Sequence, residues 1–186
     1  TGLSLVAERG KLMGAVAGGG MLAVIGLTVE AIKKILSDHQ FDSIDIANHN
    51  TMEYVVVSGA KENIVRVERL LARKARVCIP LEVSGAFHSR QMRNARDQFE
   101  KSIKKYQFRA PEIPIIANLT ARPYHCQDIV HNLVNQITGT VCWVDSIRYL
   151  MRLGESEFKQ IGPGKVLSGM IRRIQQEVTC FPLGKL

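Results

Sequence analysis

A chain of 186 residues has room for one substantial domain, or roughly one and a half small ones. Its 46% hydrophobic residues can bury a real core, and 23% charged residues is ordinary for a soluble globular protein. A net charge of +8 reflects either an anionic partner or a solvated basic surface, while the absence of a bilayer-length apolar run or a signal-peptide layout argues against a membrane span or secretory leader.

Leu3 to Met13 has helical spacing, with Leu5, Arg9 and Leu12–Met13 along one flank, and Gly14 and Gly18-Gly19-Gly20 break it. Met21 to Ile25 reads as a strand. Thr28 can N-cap a helix through Leu36, with Glu30 in its first turn. Ile44–Ala47 and Tyr54–Val57 read as strands around a polar loop, Asn48-His49-Asn50-Thr51. A helix from Glu62 to Arg73 follows, then an apolar run, Val77 to Val83, that reads as a buried strand. The order β-α-β-β-α-β is the split βαβ, ferredoxin-like pattern, complete within residues 20–83 and expected to form an inserted subdomain.

Beyond residue 83 comes the small-residue turn Ser84-Gly85-Ala86-Phe87, then His88, then a polar helix beginning near Ser89. An imidazole at the carboxyl end of a strand sits where open α/β sheets place ligands and catalytic groups, and its charge changes near neutral pH. The same histidine could instead cap the next helix or complete the edge of the core. A helix is expected from Gln91 to Lys105, a short strand at Ile113–Asn118 made irregular by Pro114, and helices at Gln127–Ile137 and Val144–Leu153. Phe158–Ile161 reads as another buried strand, and Gly162-Pro163-Gly164 turns into a helix at Lys165–Glu177. Residues 1–19 and 84–186 thus form a larger α/β layer with too few strands for a full sheet.

The densest basic run is Arg66, Arg69, Arg73, Lys74 and Arg76; such runs are solvated faces or attract an anion. Nucleic acid is disfavoured, because only 6% of residues are aromatic and the other cations are dispersed. Cys78, Cys126, Cys142 and Cys180 are scattered without a C-x-x-C, so they read as packing thiols in a reducing cytoplasm, with neither a zinc site nor a disulfide framework expected.

Several separated segments, in order, resemble malonyl-coenzyme A:acyl-carrier-protein transacylases: Arg9-Gly10-Lys11-Leu12-Met13, Asp45-Ile46-Ala47-Asn48-His49-Asn50 with Val55 to Gly59, Gly85-Ala86-Phe87-His88-Ser89, Gln136 ahead of Val141-Cys142-Trp143, and Ile161 to Met170. The similarity runs through nearly the whole chain and is nearest to the discrete, trans-acting acyltransferases that serve modular polyketide synthases. It implies an α/β-hydrolase-like core with the small subdomain inserted. It also implies cytoplasmic transfer of a malonyl group from malonyl-coenzyme A to the phosphopantetheine thiol of an acyl carrier protein, with no cofactor and no metal. A serine on a G-x-S-x-G turn would be the nucleophile, the residue matching His88 its base, and the backbone carbonyl at the position of Gln136 the group that orients the base.

By the same resemblance Arg9 would grip the malonyl carboxylate with two parallel hydrogen bonds; without it, Arg9 reads as an arginine snorkelling on a helix shoulder. Met13 and Phe87 would line the acyl pocket, with Phe87 leaving little room for a branched unit, and Asn50 and Asn118 would lie near the site. Met13 could equally be ordinary helix packing, and Asn50 could hold its own turn. Tyr54 stands where close relatives carry a glutamine. No G-x-S-x-G occurs in the 186 residues: Gly2-Leu3-Ser4 and Gly154-Glu155-Ser156 begin the pattern and lack its last glycine. The resemblance therefore implies the C-terminal part of a transacylase, with the serine and part of the oxyanion hole outside the chain. A second reading is a docking module that binds an acidic carrier protein through the basic surface; a third, RNA binding by a ferredoxin-like sheet, has only Tyr54 as a stacking strand aromatic.

Overall fold

The computed structural model describes residues 2–180 and shows a mixed α/β fold. Helix α1 (Gly2–Gly14) leads into β1 (Gly19–Ile25), α2 (Val29–Asp38), β2 (Asp45–Thr51), β3 (Tyr54–Ala60), α3 (Lys61–Leu71) and β4 (Val77–Leu81). The expected β-α-β-β-α-β order is present, and the strands form one antiparallel sheet in the order β2-β3-β1-β4. Thr28 caps α2 as expected, accepting from the Ala31 N–H at 3.3 Å.

The apolar runs of β1 and β3 are continuous because both sheet faces are covered. Leu22, Val24, Val55 and Val57 point towards α2 and α3, where they meet Ile32, Leu36, Ile64, Val67 and Leu71. Met21, Ala23 and Val56 point the other way, towards Ala47, Val83 and Phe87. Each of the fully buried aliphatic side chains, such as Leu22, Val24, Val55 and Val57, contributes about 1.5–3 kcal/mol, so the small sheet carries a core of its own.

After β4 a 3-10 turn (Arg90–Met92) opens α4 (Arg93–Ile103), and a two-residue hairpin, β5 (Ile116–Ala117) with β6 (Arg122–Pro123), precedes α5 (Ile129–Asn135), α6 (Trp143–Arg152) and α7 (Val166–Cys180). Helices α1, α4 and α5 pack through Leu5, Met13, Met92, Phe99, Val134 and Ile137, and the Ser102 hydroxyl donates to Glu8 across the α1–α4 seam. Val144 and Ile147 of α6 pack on Ile174 of α7, and Glu177 of α7 accepts from the Met52 N–H at 3.2 Å in the β2–β3 turn.

Residues 140–142 tie this layer to the sheet. Val141 pairs in parallel with β2, its N–H donating to the Ala47 carbonyl at 2.8 Å and its carbonyl accepting from His49 at 2.9 Å. The Thr140 hydroxyl donates to the Ile46 carbonyl at 2.6 Å, and the Cys142 N–H to the Asn118 carbonyl at 2.8 Å.

Four expectations are corrected. Asn48–Thr51 is strand rather than loop, made irregular by two register shifts that absorb its polar residues. β4 is an edge strand, with Val77 and Ile79 exposed, and it stops at Leu81, seven residues before His88; Pro80, which has no N–H to donate, suits the edge. Phe158–Ile161 is not a strand, since nothing among the described residues pairs with it, and Ile161 is 91% exposed. Cys126 is exposed instead of packed, Cys78 and Cys142 are half-buried, and the side chain of Cys180 lies outside the described residues.

Candidate active site

His88 sits on the eight-residue connection between β4 and the 3-10 turn, in the left-handed region at φ 57°. That conformation costs a residue with a Cβ roughly 1–2 kcal/mol, so neighbouring contacts have to hold it. Three do. The buried Ser89 hydroxyl donates to the Ala86 carbonyl at 2.6 Å and accepts from the Gln91 N–H at 3.2 Å. Arg90 is fastened to Asp45, its N–H donating to Oδ2 at 2.7 Å and its Nη2 to Oδ1 at 2.6 Å. On the near side Gly19 lets β1 approach so closely that an added Cβ would lie 2.1 Å from the Ala86 nitrogen.

A further contact fixes the ring. His88 Nδ1 lies 2.8 Å from the Gln136 carbonyl, just past the end of α5. A carbonyl can only accept, so Nδ1 carries the proton and Nε2 presents its lone pair. The Gln136 side-chain amide lies 3.5 Å from the same Nδ1 but donates better to the Gly139 carbonyl, at 3.0 Å. Burial pushes the pKa of His88 below its ordinary value, against the pull of the Gln136 carbonyl, and the like charge of Arg9 adds to the depression. The imidazole is therefore neutral at pH 7, as a base has to be.

Arg9, half-buried on α1, is close enough for its charge to act on both His88 and Tyr124. Burial lowers its pKa, with Tyr124 acting in the opposite sense, and a guanidinium so placed still keeps its proton. The structure thus brings Arg9, His88 and Gln136 into one neighbourhood, although they come from α1, the connection after β4 and the end of α5. Tyr124 is the neighbour that sequence reasoning missed; it follows the β5–β6 hairpin, and no local pattern marks it.

The remaining candidates divide. Met13 is 6% exposed and lies in the α1–α4 core, so its observed surroundings are helix packing. Phe87 packs on that core and also on Val56, Leu81 and Tyr54 beneath the sheet. Those three residues line a cleft of about 470 Å³, which they share with Asn50, Asn118 and Trp143. Asn50 is buried within β2, and Asn118 also holds Cys142 through its carbonyl. His88 faces a separate groove of about 660 Å³ between α2, β2 and α4, so the two asparagines and the imidazole open into different cavities. No group of three or more His, Cys, Asp or Glu side chains among the described residues is arranged to hold a metal ion.

A one-sided base, ready to take a proton at Nε2 beside a half-buried cation, can activate a hydroxyl or thiol acting on a negatively charged substrate. Comparison with known proteins points the same way. Residues 1–163 match the family described as "Acyl transferase domain". The chain is 46% identical over 185 residues to the polyketide biosynthesis malonyl CoA-acyl carrier protein transacylase BaeC of Bacillus velezensis, covering 98% of this chain and 64% of that one. Among solved structures, the malonyl CoA-acyl carrier protein transacylase of Burkholderia pseudomallei superposes with a TM-score of 0.90 at 37% identity, covering 95% of this chain and 62% of that one. A malonyl-transacylase solved in complex with its type II polyketide synthase acyl-carrier protein superposes at 0.87 and 30% identity, covering 94% of this chain and 58% of that one. The chain spans less than two thirds of the length of each.

Proposed function

The chain belongs to the acyl transferase domain family, and from that premise we propose that it forms part of an enzyme that moves a malonyl group from malonyl-coenzyme A to the phosphopantetheine thiol of an acyl carrier protein. The observation that carries this reading is the 2.8 Å bond from His88 Nδ1 to the Gln136 carbonyl, with the Arg9 charge acting on the same ring. In the first half-reaction His88 Nε2 takes the proton of a serine hydroxyl as its oxygen bonds to the thioester carbon. The carbon–sulfur bond then breaks, and the imidazolium returns the proton to the departing thiolate. In the second half the carrier thiol gives its proton to Nε2, attacks the acyl-serine, and the proton goes back to the serine oxygen. One proton passes through Nε2 in each half-reaction. The first leaves on the coenzyme A thiol; the second comes from the carrier thiol and ends on the serine oxygen as its bond to the acyl carbon breaks. No further cofactor enters the balance.

Arg9 would hold the malonyl carboxylate, Phe87 and Met13 would bound the acyl chain, and Asn50 and Asn118 would serve the neighbouring cleft. The serine, which no G-x-S-x-G turn supplies in these 186 residues, would come from outside them. Residues 20–83 would be a ferredoxin-like subdomain set into an α/β-hydrolase-like core made by residues 1–19 and 84–186. No helix among the described residues is long and apolar enough to cross a membrane, and the reading places the reaction in the cytoplasm.

The test is intact mass after exposure to malonyl-coenzyme A, on a polypeptide that joins this sequence to a G-x-S-x-G segment. A gain of one malonyl group that His88→Ala abolishes is expected. Full loading of the His88→Ala variant overturns the assignment.

A further inference from the structure

The two edges of the four-stranded sheet differ. β2 is closed by Val141, while β4 has β1 on one side and, among the described residues, no strand on the other. Which backbone groups β4 leaves open follows from the bonds at the two ends of β1. The Gly26 N–H donates to the Glu53 carbonyl, and the Gly18 carbonyl accepts from the Lys61 N–H. The even-numbered residues of β1 therefore turn their backbone to β3, and the odd-numbered ones turn theirs to β4. Val77, Ile79 and Leu81, paired with Ile25, Ala23 and Met21, face inward, so Cys78 and Pro80 face outward. The outer edge thus offers the Cys78 N–H and the carbonyls of Cys78 and Pro80. Its side chains alternate as well: Val77 and Ile79 are 42% and 46% exposed on the face they share with Leu81. Exposed Arg76 and Glu82 flank the strand with opposite charges, and neither makes an ion pair among the described residues.

We propose that β4 pairs antiparallel with β4 of a second copy of this chain, about a two-fold axis at Ile79, joining two four-stranded sheets into one. Outward groups have to meet outward groups, which limits the axis to Cys78, Ile79 or Pro80. An axis at Pro80 sets two prolines opposite each other with no N–H between them. An axis at Cys78 sets Arg76 against the uncharged ring of Pro80. An axis at Ile79 puts Arg76 of each copy against Glu82 of the other, and each Cys78 N–H against the partner's Pro80 carbonyl. On the other face the same register covers Ile79 with Ile79 and Val77 with Leu81. The edge carries its own complement in charge, hydrogen bonding and apolar surface, which singles out a second copy as its occupant. Proline guards an edge against pairing, but here it withholds only the donor that would meet the Cys78 carbonyl. Growth stops at two copies, because the far edge of each sheet is already held by Val141.

The test is sedimentation velocity of the full chain over a range of concentrations, in reductant and at moderate salt, which damps the repulsion between two copies of net charge +8. A monomer–dimer equilibrium is expected. Arg76→Glu and Glu82→Arg should each weaken it about tenfold, and the variant carrying both should return close to wild type. Ile79→Lys, which sets two ammonium groups at the axis, should abolish it. All three side chains are exposed, so the variants are expected to fold, which circular dichroism checks. Hydrogen exchange gives a second readout: the Cys78 amide should gain protection as concentration rises, while the Ile79 amide, already turned to β1, should not change. A chain that stays monomeric throughout overturns the proposal. So does a dimer indifferent to the single reversals, or one that the double reversal fails to restore. A dimer whose Cys78 amide exchanges as fast as in the Ile79→Lys variant uses another surface, and overturns it as well.

Discussion

Asp45, the first residue of β2, holds Arg90, two positions after His88, by its backbone N–H and its guanidinium together. The small sheet thereby anchors the segment that keeps His88 left-handed. Asp45→Asn leaves one oxygen where two now accept. Because Arg90 is half exposed, the cost is set at about 1 kcal/mol of unfolding free energy, read as a lower urea midpoint. The imidazole nitrogen shifts of His88 should also move away from a single Nδ1-protonated tautomer. An unchanged midpoint together with unchanged shifts would show that the anchor does nothing for the ring.

Gly19 and Gly10 make opposite predictions. A Cβ on Gly19 collides with the backbone of Ala86, and backbone cannot swing aside as a flexible side chain can. Gly19→Ala should cost about 3 kcal/mol or more, with loss of the His88–Gln136 contact. A Cβ on Gly10, within α1, meets open space, so Gly10→Ala should stabilise by about 0.5–1 kcal/mol. Thermal melts of both variants decide this, and equal shifts would contradict the close approach.

The depressed pKa of His88 fixes the sign of a pH dependence. In the unfolded chain the group titrates near its ordinary 6.5, and in the folded chain burial and Arg9 bring it lower. Between the two values the unfolded state holds more protons. Stability therefore rises with pH across that window and is lost as pH falls through it. His88→Asn should flatten the slope of unfolding free energy just below pH 6.5. Titration of the ring should give a midpoint below 6.5 that climbs in Arg9→Met; a wild-type midpoint above 6.5 contradicts the burial argument.

The proposed role of Arg9 separates two substrates. On a polypeptide that includes the serine segment, Arg9→Ala should reduce malonyl loading about 10–100-fold, the worth of hydrogen bonds to a charged group. Acetyl has no carboxylate to lose, so its loading should be spared. Parallel losses in competition assays would remove Arg9 from substrate recognition.

Elements whose pattern is local were legible in the sequence. The helical spacing of α1, the Thr28 cap and the two-sided apolar runs of β1 and β3 needed nothing distant to be read. The segments misread were those whose state depends on a neighbour elsewhere in the chain. Val77–Leu81 and Phe158–Ile161 are apolar enough for a buried sheet, but the described residues offer the first a single partner strand and the second none. Asn48–Thr51 has a loop composition and becomes strand because Val55, Val56 and Val141 pair along it. His88 stood out through its small-residue turn. Its tautomer could not be read from any local pattern, because the deciding carbonyl lies 48 residues further along, and only the family resemblance pointed to Gln136.

The parallel bridge at Val141 has a mechanical consequence. The chain enters and leaves the four-stranded sheet through β1 and β4, which lie side by side, so on those crossings alone the sheet would swing like a door on one post. Val141 and Thr140 bolt the opposite edge through Ala47, His49 and Ile46, and any swing has to break those bonds first.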